Sequence, residues 1–205
     1  MLKLFATFFL ISATHAVFDS AAQKAIVNAH NALRSKIAKG TYQQKLGRLG
    51  PAANMRKISW DKSIAAKAQA YADSQPMGHS ATKYGENIYW KYDMRKLSTA
   101  SLGKLGAKAC EVWENEFKKT GIKSIKQGSS VGAQTGHATQ MAWADTNKIG
   151  CGVASWRGQQ YMVTAVICQY STAGNVSNTD MFKAGNAGSQ CPSGTNVEAS
   201  SGLCV

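Results

Sequence analysis

Two histidines and two glutamates stand in segments that otherwise look buried, and they are the side chains of this sequence best suited to chemistry. His79 and His137 each follow a glycine, the first in a predicted loop and the second at the start of a predicted apolar helix. Glu86 lies in an aromatic, strand-like run, and Glu116 lies on the apolar side of a helix. Two imidazoles and two carboxylates can hold a divalent cation or transfer protons. We therefore predict one shared pocket for the four side chains.

Glu116 is the least expected of these residues, because helical glutamates are usually exposed. Burying a carboxylate costs several kcal/mol unless it is paired. We therefore expect donors, cations or a water-filled cavity beside it; the alternative is a rotated helix that turns Glu116 to solvent. The predicted core side of this helix comprises Leu105, Ala109, Val112, Trp113, Glu116 and Phe117.

A first helix is predicted over residues 20–39, from apolar residues at steps of three and four. Ser20 and Gln23 have the spacing of a capping box at its start. Polar side chains also lie along this helix, and we assign them a structural rather than a catalytic role: His30, Asn31 and Arg34.

The remaining pattern predicts helices layered on a small antiparallel sheet, an α+β fold. Asp61 is placed to cap a second helix, and the residue types of 86–90 are typical of a short strand. A further helix is predicted over 136–145, followed by strands over 149–156 and 160–170. The last strand is apolar on both faces, as expected of a central strand covered by helices.

The first sixteen residues have the charged start, short apolar middle and small-residue exit of a secretory signal, with cleavage expected after Ala16. No later run approaches the roughly 20 apolar residues of a membrane-spanning helix. We therefore expect a secreted, extracellular product without a transmembrane segment, folded as one domain. Residues from 177 onward read as an appendage poor in apolar side chains.

Basic side chains outnumber acidic ones two to one, and the formal net charge is +13. Such a charge favours anionic partners, such as lipid headgroups or sulfated glycans, but the lysines and arginines are spread over several predicted helices. A merely solvated cationic surface is the first interpretation. The expected export of the protein argues against nucleic acid as a partner. The sequence also lacks the aromatic and basic signature of a known nucleic-acid-binding module.

Five cysteines in an oxidising compartment predict disulfides and leave at least one thiol without an intrachain partner. Cys151 and Cys168 lie in two strand-like runs joined by a turn, which makes a bridge there geometrically reasonable. Cys191 and Cys204 close a tail rich in glycine and serine, where a local bridge is the economical interpretation. Cys110 is then the remaining thiol.

Seven segments of the sequence resemble those of the CAP superfamily, the cysteine-rich secretory, antigen 5 and pathogenesis-related 1 proteins. The resemblance is to the nematode venom-allergen-like, SCP-like extracellular branch. The segments occur in family order and include the sequences Tyr-Gly-Glu-Asn-Ile-Tyr and Gly-His-Ala-Thr-Gln-Met-Ala-Trp. They span residues 30–34, 78–80, 84–89, 113–116, 136–143, 149–153 and 168–175.

This resemblance implies a three-layer α-β-α sandwich, the CAP/SCP fold, with a domain over residues 17–176 and a short cysteine-containing extension over 177–205. It also implies that His79, Glu86, Glu116 and His137 line a central cavity. Divalent cations, zinc among them, are the implied cofactors, with the histidines as ligands, water or carboxylate in the open positions, and the glutamates orienting the bound waters. The sequence departs from the family pattern at Thr172, where the signature usually has proline. Gln75 and Val197 stand where nematode relatives often have cysteine, so the resemblance implies a reduced bridge pattern.

The resemblance favours a non-enzymatic binding or effector protein, with a sterol, a fatty acid, an extracellular protein or an anionic surface as its partner. Tyr89, Trp90 and Tyr92 are the predicted contacts for an apolar ligand, although packing is the competing role for the first two. The oligomeric state stays open. Asn175 begins a glycosylation sequon whose occupancy is also open.

There are two catalytic alternatives, and the first of them uses the same four residues. In a metal-assisted hydrolase, a peptidase or esterase-like enzyme, the histidines hold the ion and Glu86 or Glu116 activates water. No His-Glu-x-x-His motif supports it. A cysteine hydrolase using Cys110 is disfavoured, because Cys110 lies inside an amphipathic helix and not at a helix start, where a thiolate is stabilised.

Overall fold

A four-stranded sheet separates two helical layers in this computed structural model, which describes residues 18–128 and 134–205. One helix, α2, covers one face of the sheet, and α1, α3 and α4 lie on the other. The predicted α+β sandwich is therefore confirmed. The predicted signal segment, residues 1–16, lies outside the described residues. The helices are α1 Ser20–Ala38, α2 Lys62–Asp73, α3 Thr99–Lys119 and α4 Gly136–Met141.

The main sheet has the strand order β3-β5-β6-β4, so that β4 is an edge strand and β6 is central. The two long neighbours of β6 run antiparallel to it, and β6 is buried along both faces, as its apolar sequence predicts. The two-residue strand β3 runs parallel to β5, so the sheet is mixed and not purely antiparallel. The strands of this sheet are β3 Ser59–Trp60, β4 Gly85–Asp93, β5 Lys148–Arg157 and β6 Met162–Ser171.

Two short hairpins lie outside the main sheet. The first forms within a segment for which the sequence indicated no strand, and it covers one end of the molecule. The second forms in the C-terminal tail. Their strands are β1 Tyr42–Gln44, β2 Gly47–Leu49, β7 Val197–Glu198 and β8 Leu203–Cys204.

Two glycines of β5 allow α2 to lie directly on the sheet. A Cβ atom on Gly150 would stand 2.0 Å from the backbone nitrogen of Ala65, and one on Gly152 would stand 2.4 Å from the Cα of Gln69. Neither position can carry a side chain without moving the helix. The side chain of Gln69 then bonds both backbone groups of Val153, which fixes the helix along the strand.

Helix α1 is capped differently from the sequence prediction. Asp19 is the N-cap and accepts a hydrogen bond from the backbone nitrogen of Ala22, so the predicted capping box of Ser20 and Gln23 is wrong. Gln23 instead donates to the carbonyl of Phe18. An aspartate one residue earlier competes successfully because its carboxylate is a strong acceptor at a helix start.

Helices α3 and α4 match the predictions in position but not in every detail. Val112, predicted to face the core, is 39% exposed, because the buried stripe of α3 passes through Ala109, Trp113 and Phe117. The helix predicted over 136–145 ends at Met141. Beyond it, the chain turns to bring its carbonyls to the buried Arg34.

The C-terminal segment is packed into the molecule, although its sequence resembles an appendage. Met181, Phe182 and Leu203 are at most 2% exposed and belong to the main core. The backbone of Cys204 bonds that of Met55, and the backbone of Lys183 bonds that of Ala53. A few apolar side chains at the right positions are enough to anchor a tail that is otherwise rich in glycine and serine.

Both predicted disulfides are present, Cys151 to Cys168 across neighbouring strands and Cys191 to Cys204 within the tail. Cys110 is the free thiol, as predicted, and it is buried against His30. No helix within the described ranges is long and apolar enough to cross a membrane.

Candidate functional site

The first of two histidine–glutamate pairs lies where the loop after α2 meets the start of β4. His79 Nδ1 donates to Glu86 Oε1 at 2.9 Å. The glutamate side chain is 5% exposed, whereas the histidine side chain is 60% exposed. The buried carboxylate also accepts bonds from the backbone and hydroxyl of Ser80 and from Gln169. A mostly exposed imidazole is thus held by a buried, fully engaged carboxylate.

The surroundings of Glu86 keep it ionised. Burial acts to raise the pKa of this carboxyl, but the hydrogen bonds from Ser80, Gln169 and His79 outweigh burial, and the net shift of the pKa is downward. A carboxylate with four donors is stabilised in its charged form. It therefore remains an acceptor for His79 throughout the neutral pH range.

The second pair joins α3 to the first turn of α4. His137 Nδ1 donates to Glu116 Oε1 at 2.6 Å, and the backbone nitrogen of Ala138 donates to the other oxygen at 3.0 Å. The Trp113 ring stacks on the imidazole with 5.9 Å between centroids and 13° between planes. The Glu116 side chain is 19% exposed. The expectation that donors surround this glutamate is confirmed, and its side chain is not turned fully to solvent.

The two pairs lie on either side of β4 at its first residues. Glu86 bonds Gln169 on the face of the sheet that carries α2, whereas the next residue, Asn87, points to the other face and donates to the carbonyl of His137 at 3.0 Å. Since β4 is an edge strand, the space beside its backbone is not occupied by another strand. In the described part of the chain, no three histidine, cysteine, aspartate or glutamate side chains form a metal-binding group.

In both pairs a carboxylate orients the histidine ring, as hydrogen-bond partners of metal-binding histidines do in known metal sites. Each imidazole donates from Nδ1 to a carboxylate, which fixes the tautomer and leaves the lone pair of Nε2 available. Within residues 18–128 and 134–205, neither Nε2 has a hydrogen-bond partner. Nitrogen ligands presented in this way suit zinc and related divalent cations.

A buried chain of hydrogen bonds connects Asn87, next to the site, to helix α1. Asn87 donates to the hydroxyl of Tyr170, that hydroxyl bonds His30 Nε2, and His30 Nδ1 bonds the carbonyl of Ile26. In a neutral imidazole, Nδ1 donates to the Ile26 carbonyl and Nε2 accepts from the Tyr170 hydroxyl. Burial lowers the pKa of His30 to about 4, so it is neutral at physiological pH. The structural role predicted for His30 is confirmed.

Arg34 fixes the segment that follows α4. Its guanidinium is fully buried and donates five hydrogen bonds to backbone carbonyls. Burial lowers the pKa of Arg34 to about 9, so the group stays charged at neutral pH. Because four of these carbonyls belong to the last residue of α4 and to the segment just after it, Arg34 positions α4 and with it His137. The acceptors belong to Arg56, Met141, Trp143, Ala144 and Thr146.

The loop after β6 holds α4 from the opposite side. Asn175 accepts a bond from the Thr139 hydroxyl at 2.7 Å and donates to the carbonyl of Gly136 at 2.8 Å. Gly174 donates from its backbone to the side chain of Gln140. The sequence pointed to this loop only through the family resemblance, because nothing in its residue types indicates a contact 36 residues away. The side chain of the sequon asparagine is engaged with the protein.

The three predicted apolar contacts do not share one surface. Alternation along β4 places Tyr89 against the main core on the α3 side. Trp90 packs instead in a small cluster on the α2 side, and Tyr92 is 55% exposed beside a cavity of about 490 Å³ on that same side. Tyr89 is therefore a packing residue. The cavity is lined by Met77, Tyr92, Trp156, Gly158, Gln159, Gln160, Tyr161 and Val163.

Comparison with known proteins gives a consistent family. Residues 27–170 match the profile of the cysteine-rich secretory protein family, CAP. Venom allergen 5 of Vespula vidua is 32% identical over 165 residues, which cover 80% of each chain. The solved structure of NaASP2 with Zn2+ superposes with a TM-score of 0.79 at 27% identity, covering 92% of this chain and 97% of that one. BmVAL-1 superposes with a TM-score of 0.81 at 28% identity, covering 91% and 94%.

Proposed function

This chain belongs to the cysteine-rich secretory protein (CAP) family, and from that premise we propose that it is a secreted, non-enzymatic binding protein whose paired histidines hold a divalent cation. The observation that carries the proposal is the repeated arrangement of Nδ1 against carboxylate in His79–Glu86 and His137–Glu116. A solved relative in the family is a complex with Zn2+. Zinc is accordingly the first ion to test.

In this proposal the two imidazoles share one ion across the open edge of β4. His79 and His137 supply nitrogen ligands through Nε2, and Glu86 and Glu116 orient them. Water completes the coordination, since two protein ligands leave positions open. A cation held by both histidines would connect the loop after α2 to the start of α4.

A binding role is favoured over hydrolysis at Glu86 by the state of its carboxylate. A carboxylate has about four lone-pair sites, and Glu86 already accepts four hydrogen bonds. Glu116 accepts bonds from His137 and from the backbone of Ala138. A base for water activation needs a free lone pair directed at the water. Glu86 is therefore a poor base, and the hydrolase alternative would depend on Glu116, which also positions His137.

The cation proposal is tested by titrating zinc into metal-free protein in a calorimeter. The wild-type chain should bind zinc, and the double variant His79→Ala, His137→Ala should not. The double variant Lys24→Ala, Lys62→Ala serves as a control for changes at exposed sites, and it should bind like the wild type. Zinc-dependent hydrolysis of peptide or ester substrates, lost in Glu116→Gln, would replace the binding role with the hydrolase alternative.

An apolar ligand, a sterol or a fatty acid, is the second part of the proposal, and the α2-side cavity is its proposed site. Tyr92 and Tyr161 are 55% and 44% exposed there, although aromatic rings usually gain by burial. The volume of this cavity, about 490 Å³, lies in the range of small-molecule pockets. Retention of labelled cholesterol or fatty acid should fall in Tyr92→Ser but not in Lys91→Ser, whose side chain lies on the opposite face of β4. Equal retention in both variants would remove the cavity from the proposal.

A further inference from the structure

The chain folds so that one end of the molecule collects basic side chains from distant parts of the sequence. Helices α1 and α3 run parallel: Ala22 and Gly103 line one groove near their starts, and further along His30 contacts Cys110. Beyond the end of α1, the Tyr42 ring contacts that of Phe117 near the end of α3. Both helices therefore finish at the same end of the protein.

The β1–β2 hairpin and the segment after α3 close over this end. The backbone nitrogen of Lys45 bonds the carbonyl of Phe117, and the side chain of Gln44 bonds both backbone groups of Ile122. The tail adds Ala184, which bridges to Ala52. We call the resulting set of exposed cations the basic end; it comprises Lys45, Arg48, Lys118, Lys119, Lys123 and Lys183.

This positive charge is only partly balanced by nearby carboxylates. Glu114 lies 3.8 Å from Lys118, and Asp180 bridges through its backbone to Lys126. The position of Lys118 and Lys119 in the last turn of α3 is explained by the helix dipole. No such explanation applies to the other four cations, and none of them makes an ion pair with any residue in the described ranges: Lys45, Arg48, Lys123 and Lys183.

A concave surface lies at the centre of the basic end. A cavity of about 520 Å³ separates the hairpin from the segment after α3, and both Arg48 and Lys123 line it. Gln44 and Ser124 add polar groups, and no described lining residue is acidic. The aromatic lining residue, Phe182, is buried. Neither a ring for stacking nucleic-acid bases nor an interfacial aromatic for a bilayer is therefore exposed among these residues.

We propose that the basic end binds a sulfated polysaccharide chain of the glycosaminoglycan type. Sulfate groups repeat along such a chain and can meet several cations of the basic end at once. A concave site with Arg48 and Lys123 on its walls accommodates a flexible polyanion better than it does a flat membrane. Binding releases condensed counterions, so it is driven electrostatically and weakens with salt. The interaction uses neither histidine pair and needs no metal ion.

Heparin is the probe, and the double variant Arg48→Gln, Lys123→Gln is the test. Its control is Lys24→Gln, Lys62→Gln, which removes the same net charge from exposed positions on the first part of α1 and the start of α2. Affinity is measured at several salt concentrations in the presence of a chelator. If each cation releases about one counterion, the slope of log K against log salt should fall by about two in the test variant and stay unchanged in the control. Unchanged melting temperatures in both variants show that the fold is intact.

Three outcomes would overturn the proposal. Equal weakening in both double variants would mean that heparin responds only to net charge. Tighter binding to phosphatidylserine vesicles or to duplex DNA than to heparin at the same salt would assign the basic end to another class of partner. A requirement for zinc, abolished by His79→Ala and His137→Ala, would move the interaction to the histidine pairs. The first two outcomes leave the cation proposal untouched, whereas the third would support it.

Discussion

Glu116 Oε1 accepts a hydrogen bond from His137 Nδ1 at 2.6 Å, although the two residues lie 21 positions apart on different helices. The contact explains a carboxylate on the apolar side of α3 and fixes the imidazole tautomer at the start of α4. Trp113 restricts the orientation of the imidazole ring further by stacking on it. The histidine is therefore oriented in advance of any ligand.

Removing the orienting carboxylate should weaken zinc binding without removing the ligand. Glu116→Gln keeps the size of the side chain but weakens its ability to accept from Nδ1, and we expect the Kd for zinc to rise about 10- to 100-fold. Glu114→Gln, two residues earlier on the same helix, is the matched control and should leave the Kd unchanged. Calorimetric titration measures both. Equal affinities in Glu116→Gln and wild type would mean that the pair is structural only.

The stability of the fold should fall with acid through His30. Its folded pKa of about 4 lies below the unfolded value of 6.5, so between these pH values the unfolded chain binds a proton that the folded chain excludes. Stability contributed by neutral His30 is complete above pH 6.5 and declines as pH falls towards 4, by roughly 3 kcal/mol. Urea unfolding across this range measures it.

A variant separates the contribution of His30 to the pH dependence of stability from that of the carboxylates, which also titrate at low pH. His30→Gln retains a polar side chain but carries no titratable group. Its free energy of unfolding should depend less steeply on pH, by up to one proton between pH 4 and 6.5. Parallel curves for the variant and the wild type would show that His30 is protonated in the folded state or does not titrate in this window.

Arg34 should be among the most costly positions to change. Arg34→Met leaves five buried carbonyls without their donor, and we expect the free energy of unfolding to fall by about 3 to 5 kcal/mol. Arg34→Lys should recover part of this, since an ammonium has three donors. Arg48→Met, at an exposed arginine, is the control and should change little. Urea denaturation of the three variants tests this; a loss under about 1 kcal/mol in Arg34→Met would contradict the assigned role.

Cys110 should be inert in the native protein. Burial raises the pKa of its thiol, and 1% exposure keeps reagents and other chains away. Iodoacetamide should label one cysteine in urea and none under native conditions, as read by mass spectrometry. Rapid native labelling, or a dimer that dissociates on reduction, would show that Cys110 is accessible.

Residue patterns predicted those parts of the fold and site that depend on local sequence. The central strand β6, the cap at Asp61 and the unusual position of Glu116 all follow from which neighbours are apolar. The disulfides followed from cysteines placed in adjacent strands or in a tail with little core of its own. Residue types alone predicted a shared pocket for the four polar side chains, and the CAP resemblance added the expectation that this pocket is the central cavity of the sandwich.

Other features depend on contacts that no local pattern contains. Alternation puts Glu86 and Asn87 on opposite faces of β4. Only the sheet order shows that β4 is an edge strand, with one histidine–glutamate pair on either side of it. The six cations of the basic end are scattered in sequence and are assembled by parallel helices and a covering hairpin. Met181, Phe182 and Leu203 are isolated in their segments, so their burial depends on the distant surface that receives them.

The stoichiometry of zinc binding is the most direct test of a shared site. Calorimetric titration of wild type, His79→Ala and His137→Ala should show one ion per wild-type chain and loss of that binding in either single variant, because each ring supplies half of the protein ligands. Two ions per wild-type chain, with one retained in each variant, would show that the pairs act separately and would contradict the account.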